Sequence, residues 1–429
     1  LALFLERAAH NNVQFTIALA APTGKAAARL NESIEQGISH LDENIQKLFH
    51  ATDIKAKTIH RLLKYNAAIN AFYHQKEVPL DYDLLIIDEA SMIDQYMIAN
   101  LLNAIKPDSH LILLGDKDQL SSVEAGSVLS ELVDVDINTY PETFLSRLKE
   151  SIEKIADKTL VDDHFGKSIG NSQQKSTHKH IQSCMVNLTY SHRFKGDIKT
   201  LAEIINENPQ GLNQFLQASH EDVTIAPISS WISQQAPIPA YKQIEAFVDR
   251  YISQYLSEYL QTIKHQTIFS KSLFKTLAKM QILCATKQGM FGVNKLNETI
   301  IASLLSGKSA DSKSADAKCA DSEEMQLNAI VHHYIGSKVI FHGMPILINQ
   351  NDYSNGLYNG DVGIILNVGG VWQAGFEQDS EISVFSINRL NAYEPMFAMS
   401  IHKSQGSEFE HVFMMLPEKA SPIMNQALL

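Results

Sequence analysis

The stretch "LLIIDEAS" (84–91) sets a short apolar run directly against two adjacent acids, Asp88 and Glu89. An unbroken apolar run of this length, ended by a polar turn, reads as a strand buried on both faces, as in a parallel sheet covered by helices. The same design recurs at "FTIALAAPTG" (15–24), "HLILLGDKDQ" (110–119), "QILCATKQG" (281–289) and "HVFMMLP" (411–417). Amphipathic stretches lie between them, such as "SMIDQYMIANLLNAI" (91–105), where Met92, Tyr96, Met97 and Leu101 recur at helical spacing. Strands alternating with helices predict an α/β fold, and functional groups in such sheets gather at the carboxyl ends of the strands. Asp88 and Glu89 stand at such an end. Nucleotide hydrolases place there one carboxylate that holds Mg²⁺ and a second that orients the attacking water. The alternative use of the pair is to cap the next helix through its dipole.

"LLGDKDQLSSVEAGSVL" (113–129) repeats the pattern with Asp116 and Gln119 in the loop. A glutamine beside a γ-phosphate can bond both the phosphate and the attacking water; the plainer reading is a strand-to-helix turn capped by Asp116 or Asp118. "NLTYSHRFKGDI" (187–198) offers Arg193 at the start of a helical stretch, either as a cation for transition-state charge or as a surface ion-pair partner. "SIHKSQGSEFEHVFMMLP" (400–417) crowds His402, Lys403, Ser404, Gln405, Gly406 and Glu408 into one turn, a density that suits phosphate contacts.

"AAPTGKAAARL" (20–30) places Gly24-Lys25 after a strand and so imitates a phosphate-binding loop. Such a loop needs a glycine five residues before Gly24 and a hydroxyl after the lysine. Leu19 and Ala26 occupy those positions, so it is not one. "ASLLSGKS" (302–309) fits a relaxed form of the pattern, but it follows a helical stretch and not a strand, which makes the match accidental.

The chain has 429 residues, 45% hydrophobic and 20% charged, which is ordinary globular composition for two or three domains. Its net charge of −12 excludes a generally basic surface, so any nucleic-acid contact must be a local groove. Cys184, Cys284 and Cys319 have neither metal-type spacing nor a disulfide framework, which suits a reducing compartment. With no apolar stretch of membrane-spanning length and no leader pattern, a soluble cytoplasmic protein is expected. The chain opens at Leu1 inside a helical stretch and stops at "IMNQALL", so an internal portion of a longer protein is expected. Residues 142–183 interrupt the α/β pattern with a polar excursion. Residues 309–323 repeat a small, charged five-residue unit that predicts a surface loop. Residues 331–390, rich in β-branched residues and Asn-Gly turns, predict a small antiparallel sheet or barrel.

In order along the chain, "AAPTGKAAARL", "KTIHRLL" (57–63), "LLIIDEASMID", "LLGDKDQLSSVEAGSVL", "YSHRF" (190–194), "NGLYNGDVGI" (355–364) and "SIHKSQGSEFEHV" resemble the RecD family of superfamily 1B DNA helicases, the alpha subunits of exodeoxyribonuclease V. The resemblance implies two RecA-like parallel-sheet P-loop NTPase domains with a small SH3-like insertion. The first would span 1–195 and the connection to the second 196–330, with a disordered repeat loop at 306–324. The SH3-like module would occupy 331–390, and 391–429 would return to the second domain. It implies ATP and Mg²⁺ as cofactors, with Glu89, Gln119 and Arg193 catalytic and Asp88 on the metal. Asp88, Asp116, Gln119, Arg193, Gly406 and Glu408 would meet the nucleotide. Pro22, Thr23, Gly24, Lys25, Thr58, His60, His402, Lys403 and Ser404 would meet single-stranded DNA, with Lys25 on a DNA phosphate and not on ATP.

The implied activity is 5′→3′ translocation and unwinding within a RecBCD-type exonuclease V at double-strand breaks, in recombinational repair. RecB-like and RecC-like subunits and single-stranded DNA at duplex ends would be the partners, with no membrane involved. The family's Walker A motif would precede Leu1 and its closing arginine motif follow Leu429, so this chain alone is expected to hydrolyse ATP poorly or not at all. The alternatives are a stand-alone repair helicase, which usually shows "FRQ" where this chain shows "HRF", an RNA helicase, and a catalytically silent assembly subunit. No nuclease signature is present.

Overall fold

The computed structural model describes residues 15–117, 119, 128–133, 184–186, 188, 196–224, 239–306, 332–405 and 407–417, less 42, 53, 67, 208, 219, 265, 337, 353 and 379–380. The expected polar excursion, the five-residue repeats, Arg193 and Gly406 lie outside the described residues. The chain divides into two units, one of residues 1–90, 96–114 and 225–429, the other of 91–95 and 115–224.

The larger unit holds two parallel sheets, as the apolar runs predict. In the first, β1 (Ile17–Ala21) runs into α1 (Gly24–Ser39), β2 (Ala56–Thr58) into the short α2 (Ile59–Leu62), and β3 (Leu84–Ile87) into Asp88. With β4 (His110–Leu113) they form a sheet of order β2-β1-β3-β4, parallel throughout, with Leu19 opposite Ala56 and Ile86, and Leu84 opposite His110. Because every strand runs the same way, the turns after β1, β2 and β3 share one edge. Ile17, Leu19, Ala21, Ala26, Ala27, Phe49 and Leu84 form the core beneath α1.

In the second sheet β5 (Met280–Cys284), buried along its whole length, lies between β11 (Ala398–Ser400) and β12 (His411–Met415), again all parallel. β11 leads directly into the one-turn helix Ile401–Ser404. Two buried amides hold this arrangement. Asn297 Oδ1 accepts the Phe397 and Ala398 N–H groups at 3.0 and 2.9 Å, and its Nδ2 donates to the Ala398 carbonyl at 2.8 Å. Gln281 Nε2 donates to the Phe397 carbonyl at 3.2 Å.

Between these strands lies the expected antiparallel sheet. β6 (Met344–Ile348), β7 (Val362–Val368), β8 (Val371–Gln378), β9 (Glu381–Ser386) and β10 (Tyr393–Pro395) pair in the order β9-β8-β7-β6-β10. The last strand carries the sheet past the expected boundary at 390. Gly343 packs it onto the helix Ser257–Ile263, where a Cβ would fall 1.8 Å from Ile263 Cδ1. The Gly343 carbonyl accepts the buried Tyr259 hydroxyl at 2.8 Å.

Two local expectations shift. The helix of "SMIDQYMIANLLNAI" spans only Gln95–Ala104, burying Met97, Ile98, Leu101 and Ala104, while Met92 lies in a preceding 3-10 turn and Tyr96 is exposed. Ala302–Ser306 of the accidental phosphate-loop match are the end of the helix Val293–Ser306, which removes the strand such a loop requires.

The smaller unit contains the helices Val128–Val133, Gly196–Glu207 and Leu212–Gln217. Within it His220 stacks on Phe215 at 3.7 Å and bridges the Phe215 carbonyl and Asp197. Among the described residues no helix is long and apolar enough to cross a membrane.

Candidate functional site

The carboxyl edge of the first sheet is built from turns with different jobs. After β1, Thr23 is extended and its Oγ1 accepts the Ala26 N–H at 3.2 Å, so the hydroxyl caps α1. No acid occupies the first turn of that helix, which leaves its N-terminal N–H groups and dipole open to an anion. Lys25 follows, half-buried, its Nζ 2.5 Å from Ser407 Oγ. Burial pulls the Lys25 ammonium down to about 8; the charge of Arg29 acts in the same direction and that of Asp361 against it. After β2, the buried Thr58 caps α2 in the same way, accepting the Arg61 N–H at 3.2 Å. His60 packs edge-on against Tyr65 at 5.4 Å and beside Phe72 at 5.8 Å.

After β3, Asp88 stays tied to the sheet through its N–H to the Ala20 carbonyl, and its Oδ1 accepts the Glu89 N–H at 2.9 Å. Glu89 itself has φ +53°, a left-handed conformation that side chains with a Cβ seldom adopt. Backbone outliers of this kind gather at functional sites, where the surrounding structure enforces them. Both acids are half-buried.

The second sheet supplies the opposing loop. Lys403 Nζ meets Glu394 Oε1 at 2.7 Å, Lys287 Nζ meets the other oxygen of the same carboxylate at 3.4 Å, and Ser404 Oγ donates to the Ile401 carbonyl. Burial pushes the Glu394 carboxyl up, but the bond and charge of Lys403, with those of Lys287, outweigh it and hold the group below its ordinary range. His402 is half-buried on the same helical turn. Beyond it, Ser407 reaches Lys25, and Glu408 pairs with Arg29 of α1 at 2.5 Å.

The structure thus brings Gly24, Lys25 and Thr58 together with Ser407 and Glu408, around a cavity of about 460 Å³. The antiparallel sheet closes its third side with Tyr358 and Asp361. A Cβ on Gly24 would lie 3.2 Å from the Tyr358 ring, a close contact that would push the ring back by a few tenths of an ångström. The Arg61 guanidinium lies 4.7 Å from the centre of the same ring, a cation–π contact. Burial pushes the Asp361 carboxyl up to about 6, against the Tyr358 N–H that it accepts and the charges of Lys25 and Arg61. Asp116 and Gln119 belong to the smaller unit and are exposed in the loop after β4.

Arg29, Arg61, Lys287, Tyr358, Asp361 and Glu394 are site residues that the sequence reading did not single out. Arg61 and the Tyr358–Asp361 turn sit inside quoted motifs, so the signal was present but unassigned. Lys287 falls in the quoted stretch "QILCATKQG" and Arg29 in "AAPTGKAAARL", while Glu394 lies in a stretch with no motif character.

Residues 2–125 match the AAA domain family. The RecBCD enzyme subunit RecD of Haemophilus influenzae is 31% identical over 429 residues, which is 96% of this chain and 59% of that protein. Its counterpart in Mycolicibacterium smegmatis is 28% identical over 416 residues, with the same two coverages of 96% and 59%. The chain is a relative of the RecD subunits. It spans about three fifths of the length of these RecD relatives. The ATP-dependent RecD2 DNA helicase of Deinococcus radiodurans is 40% identical over a shorter stretch of 116 residues, 27% of this chain and 13% of that protein. Among solved structures, a Pif1 helicase from Bacteroides in complex with ADP-AlF3 and single-stranded DNA is 13% identical, covers 99% of this chain and 89% of that one, and superposes with a TM-score of 0.33. The RecD resemblance carried by the motifs therefore extends over nearly the whole chain.

Proposed function

We propose that this chain provides the strand-gripping surface and the acid edge of an ATP-driven DNA translocase, a RecD-type subunit that moves 5′→3′ on single-stranded DNA. The observation that carries the reading is the cavity at which Lys25, Arg29 and Arg61 converge with two threonine-capped helix starts in a chain of net charge −12. Cations gathered locally in an acidic protein, beside two helix starts with no acid in the first turn, suit a phosphate backbone. Pro22, Thr23, Gly24, Lys25 and Thr58 line one side of the path of the strand. His60, within its aromatic group, offers a ring for stacking, and His402, Lys403 and Ser404 continue the contacts on the second sheet.

The nucleotide reading rests on Asp88 and Glu89, with Asp116, Gln119, Arg193 and Gly406 as further contacts; Glu408, expected with them, pairs instead with Arg29 at the strand-side cavity. Among the described residues no group of three or more His, Cys, Asp or Glu side chains could hold a metal alone. Mg²⁺ takes one or two carboxylates and completes its shell with water and substrate phosphates, so the reading asks for no such group. Asp88 would hold it, and the ion would neutralise phosphate charge. Glu89, set at the rim by its left-handed backbone, would orient a water for attack. The relatives' name, "RecBCD enzyme subunit RecD", supports RecB-like and RecC-like subunits as partners, while duplex ends in recombinational repair and a cytoplasmic setting rest on the motif resemblance.

The test is binding of single-stranded DNA across a salt series. Lys25→Ala should weaken it and reduce the salt slope by about one. An unchanged slope would remove Lys25 from the phosphate path.

A further inference from the structure

Two cations on one face of α1 are held by two consecutive residues that lead into the second sheet. Lys25 and Arg29 stand one helical turn apart, so their side chains are neighbours. Lys25 Nζ donates to Ser407 Oγ at 2.5 Å, and Arg29 pairs with Glu408 at 2.5 Å. The holding residues are fixed on both sides. The Ser407 N–H donates to the Ser404 carbonyl at 2.8 Å, and Phe409, partly buried, packs against the core that contains β5. Ser407 and Glu408 thus reach from the Ile401–Ser404 turn to α1, at the wall of the cavity. Neither grip is strong. The Arg29 and Glu408 side chains are 30% and 57% exposed, and an ion pair as wet as that is worth little. The partner of Lys25 is a neutral hydroxyl, while burial and the charge of Arg29 pull the ammonium down to about 8. A phosphate oxygen would offer the same ammonium a stronger, charge-assisted bond.

We propose that Ser407 and Glu408 form a strap across the strand-side cavity, closed on Lys25 and Arg29 in the strand-free protein and displaced when a DNA phosphate takes those cations. The inference rests on the strand-contacting reading of Lys25. A strand meets its full contacts only in molecules whose strap is open, so the apparent affinity is reduced by the open fraction. Two weak grips on consecutive residues give a strap that a phosphate can displace and that recloses when the phosphate leaves. The Ser407 N–H is bonded to the turn that carries His402, Lys403 and Ser404. A strap lifted from α1 therefore pulls on that turn, and a phosphate at Lys25 is felt at the second strand-contacting surface.

The experiment measures anisotropy of a fluorescent oligothymidylate bound to the full chain and to Ser407→Ala, Glu408→Gln and Lys25→Ala, without nucleotide and at one salt concentration. Thermal unfolding confirms that each variant is folded, and Ser407→Gly takes the place of Ser407→Ala if the latter does not fold. In parallel, peptide mass spectrometry follows how fast an amine-acetylating reagent modifies Lys25 in the strand-free protein, against the exposed Lys76 as reference. Ser407→Ala and Glu408→Gln should each tighten binding about twofold to fivefold, and each should speed the acetylation of Lys25 by a similar factor. A gain in Glu408→Gln alone is relieved charge repulsion and overturns the strap, since Ser407→Ala changes no charge. A gain in Ser407→Ala alone leaves Glu408 out and overturns it too, as does unchanged acetylation of Lys25 in either variant. Lys25→Ala separates the two levels: an unchanged affinity there sinks the strand-contacting reading itself, whereas a loss there without a gain in the other two variants sinks only the strap.

Discussion

The carboxyl edge of the first parallel sheet shares a cavity with residues that lead into the strands of the second, and the two sheets are held in different ways. On the first, each functional turn is fixed by its own neighbours: Thr23 caps α1, Thr58 caps α2, and Asp88 accepts the N–H of the next residue. On the second, β11 is held in place by Asn297 and Gln281, about a hundred residues away in the chain. The first edge is therefore a sum of small local terms, and the second depends on a few buried amides whose loss is felt all at once.

Removing Asn297 is the strongest way to break the contrast. Asn297→Ala would leave the Phe397 and Ala398 N–H groups and the Ala398 carbonyl without the partner they have in the core. The expected cost is roughly 2–4 kcal/mol, read by denaturant unfolding, with the Ile401–Ser404 turn displaced. A loss no larger than that of a helix cap would show that the second edge is as local as the first.

A pH series probes the third side of the cavity. Asp361 lies at about 6, above its unfolded value, so its contribution to stability is full below pH 4 and is lost as pH rises through 6. Lys25 lies at about 8, below its unfolded value, so its contribution is full only above pH 10 and is lost as pH falls through 8. Arg29, Arg61, Glu377 and Glu408 face the same space. Stability should thus be lowest between pH 6 and 8, where both groups are charged. Relative to Asp361→Asn, the parent chain should gain roughly 1–3 kcal/mol between pH 7 and 4. Parallel curves for the two proteins would place Asp361 in water.

The smallest effects should come from the caps. Thr58→Ala and Thr23→Ala should each cost about 1 kcal/mol, measured by thermal unfolding. Thr58 is buried and should lie at the upper end. A combined loss well above the sum of the two would mean that the first edge is cooperative after all.

What could be read from the sequence follows the same division. The apolar runs announced both parallel sheets, though only β1, β3 and β5 are buried as such runs imply, and β4 and β12 keep exposed positions. The antiparallel sheet was legible from its Asn-Gly turns, though not its last strand, Tyr393–Pro395, too short to carry a pattern. The rim position of Asp88 and Glu89 was legible, whereas the positive φ of Glu89 was not, since the left-handed preference belongs to glycine and asparagine. Asn297 looked like any polar residue on a helix. The meeting of Tyr358 and Asp361 with Gly24 and Lys25 joins segments more than three hundred residues apart, and nothing in either motif names the other.

The backbone of Glu89 bears on whether this rim still performs chemistry. Holding a glutamate where glycine would rest easily costs on the order of 1 kcal/mol, and Glu89→Gly should give that back as a higher melting point. A subunit kept only as scaffolding would be free to drift towards the relaxed residue. Under the proposed reading, the acid is held in that pose because it orients the attacking water.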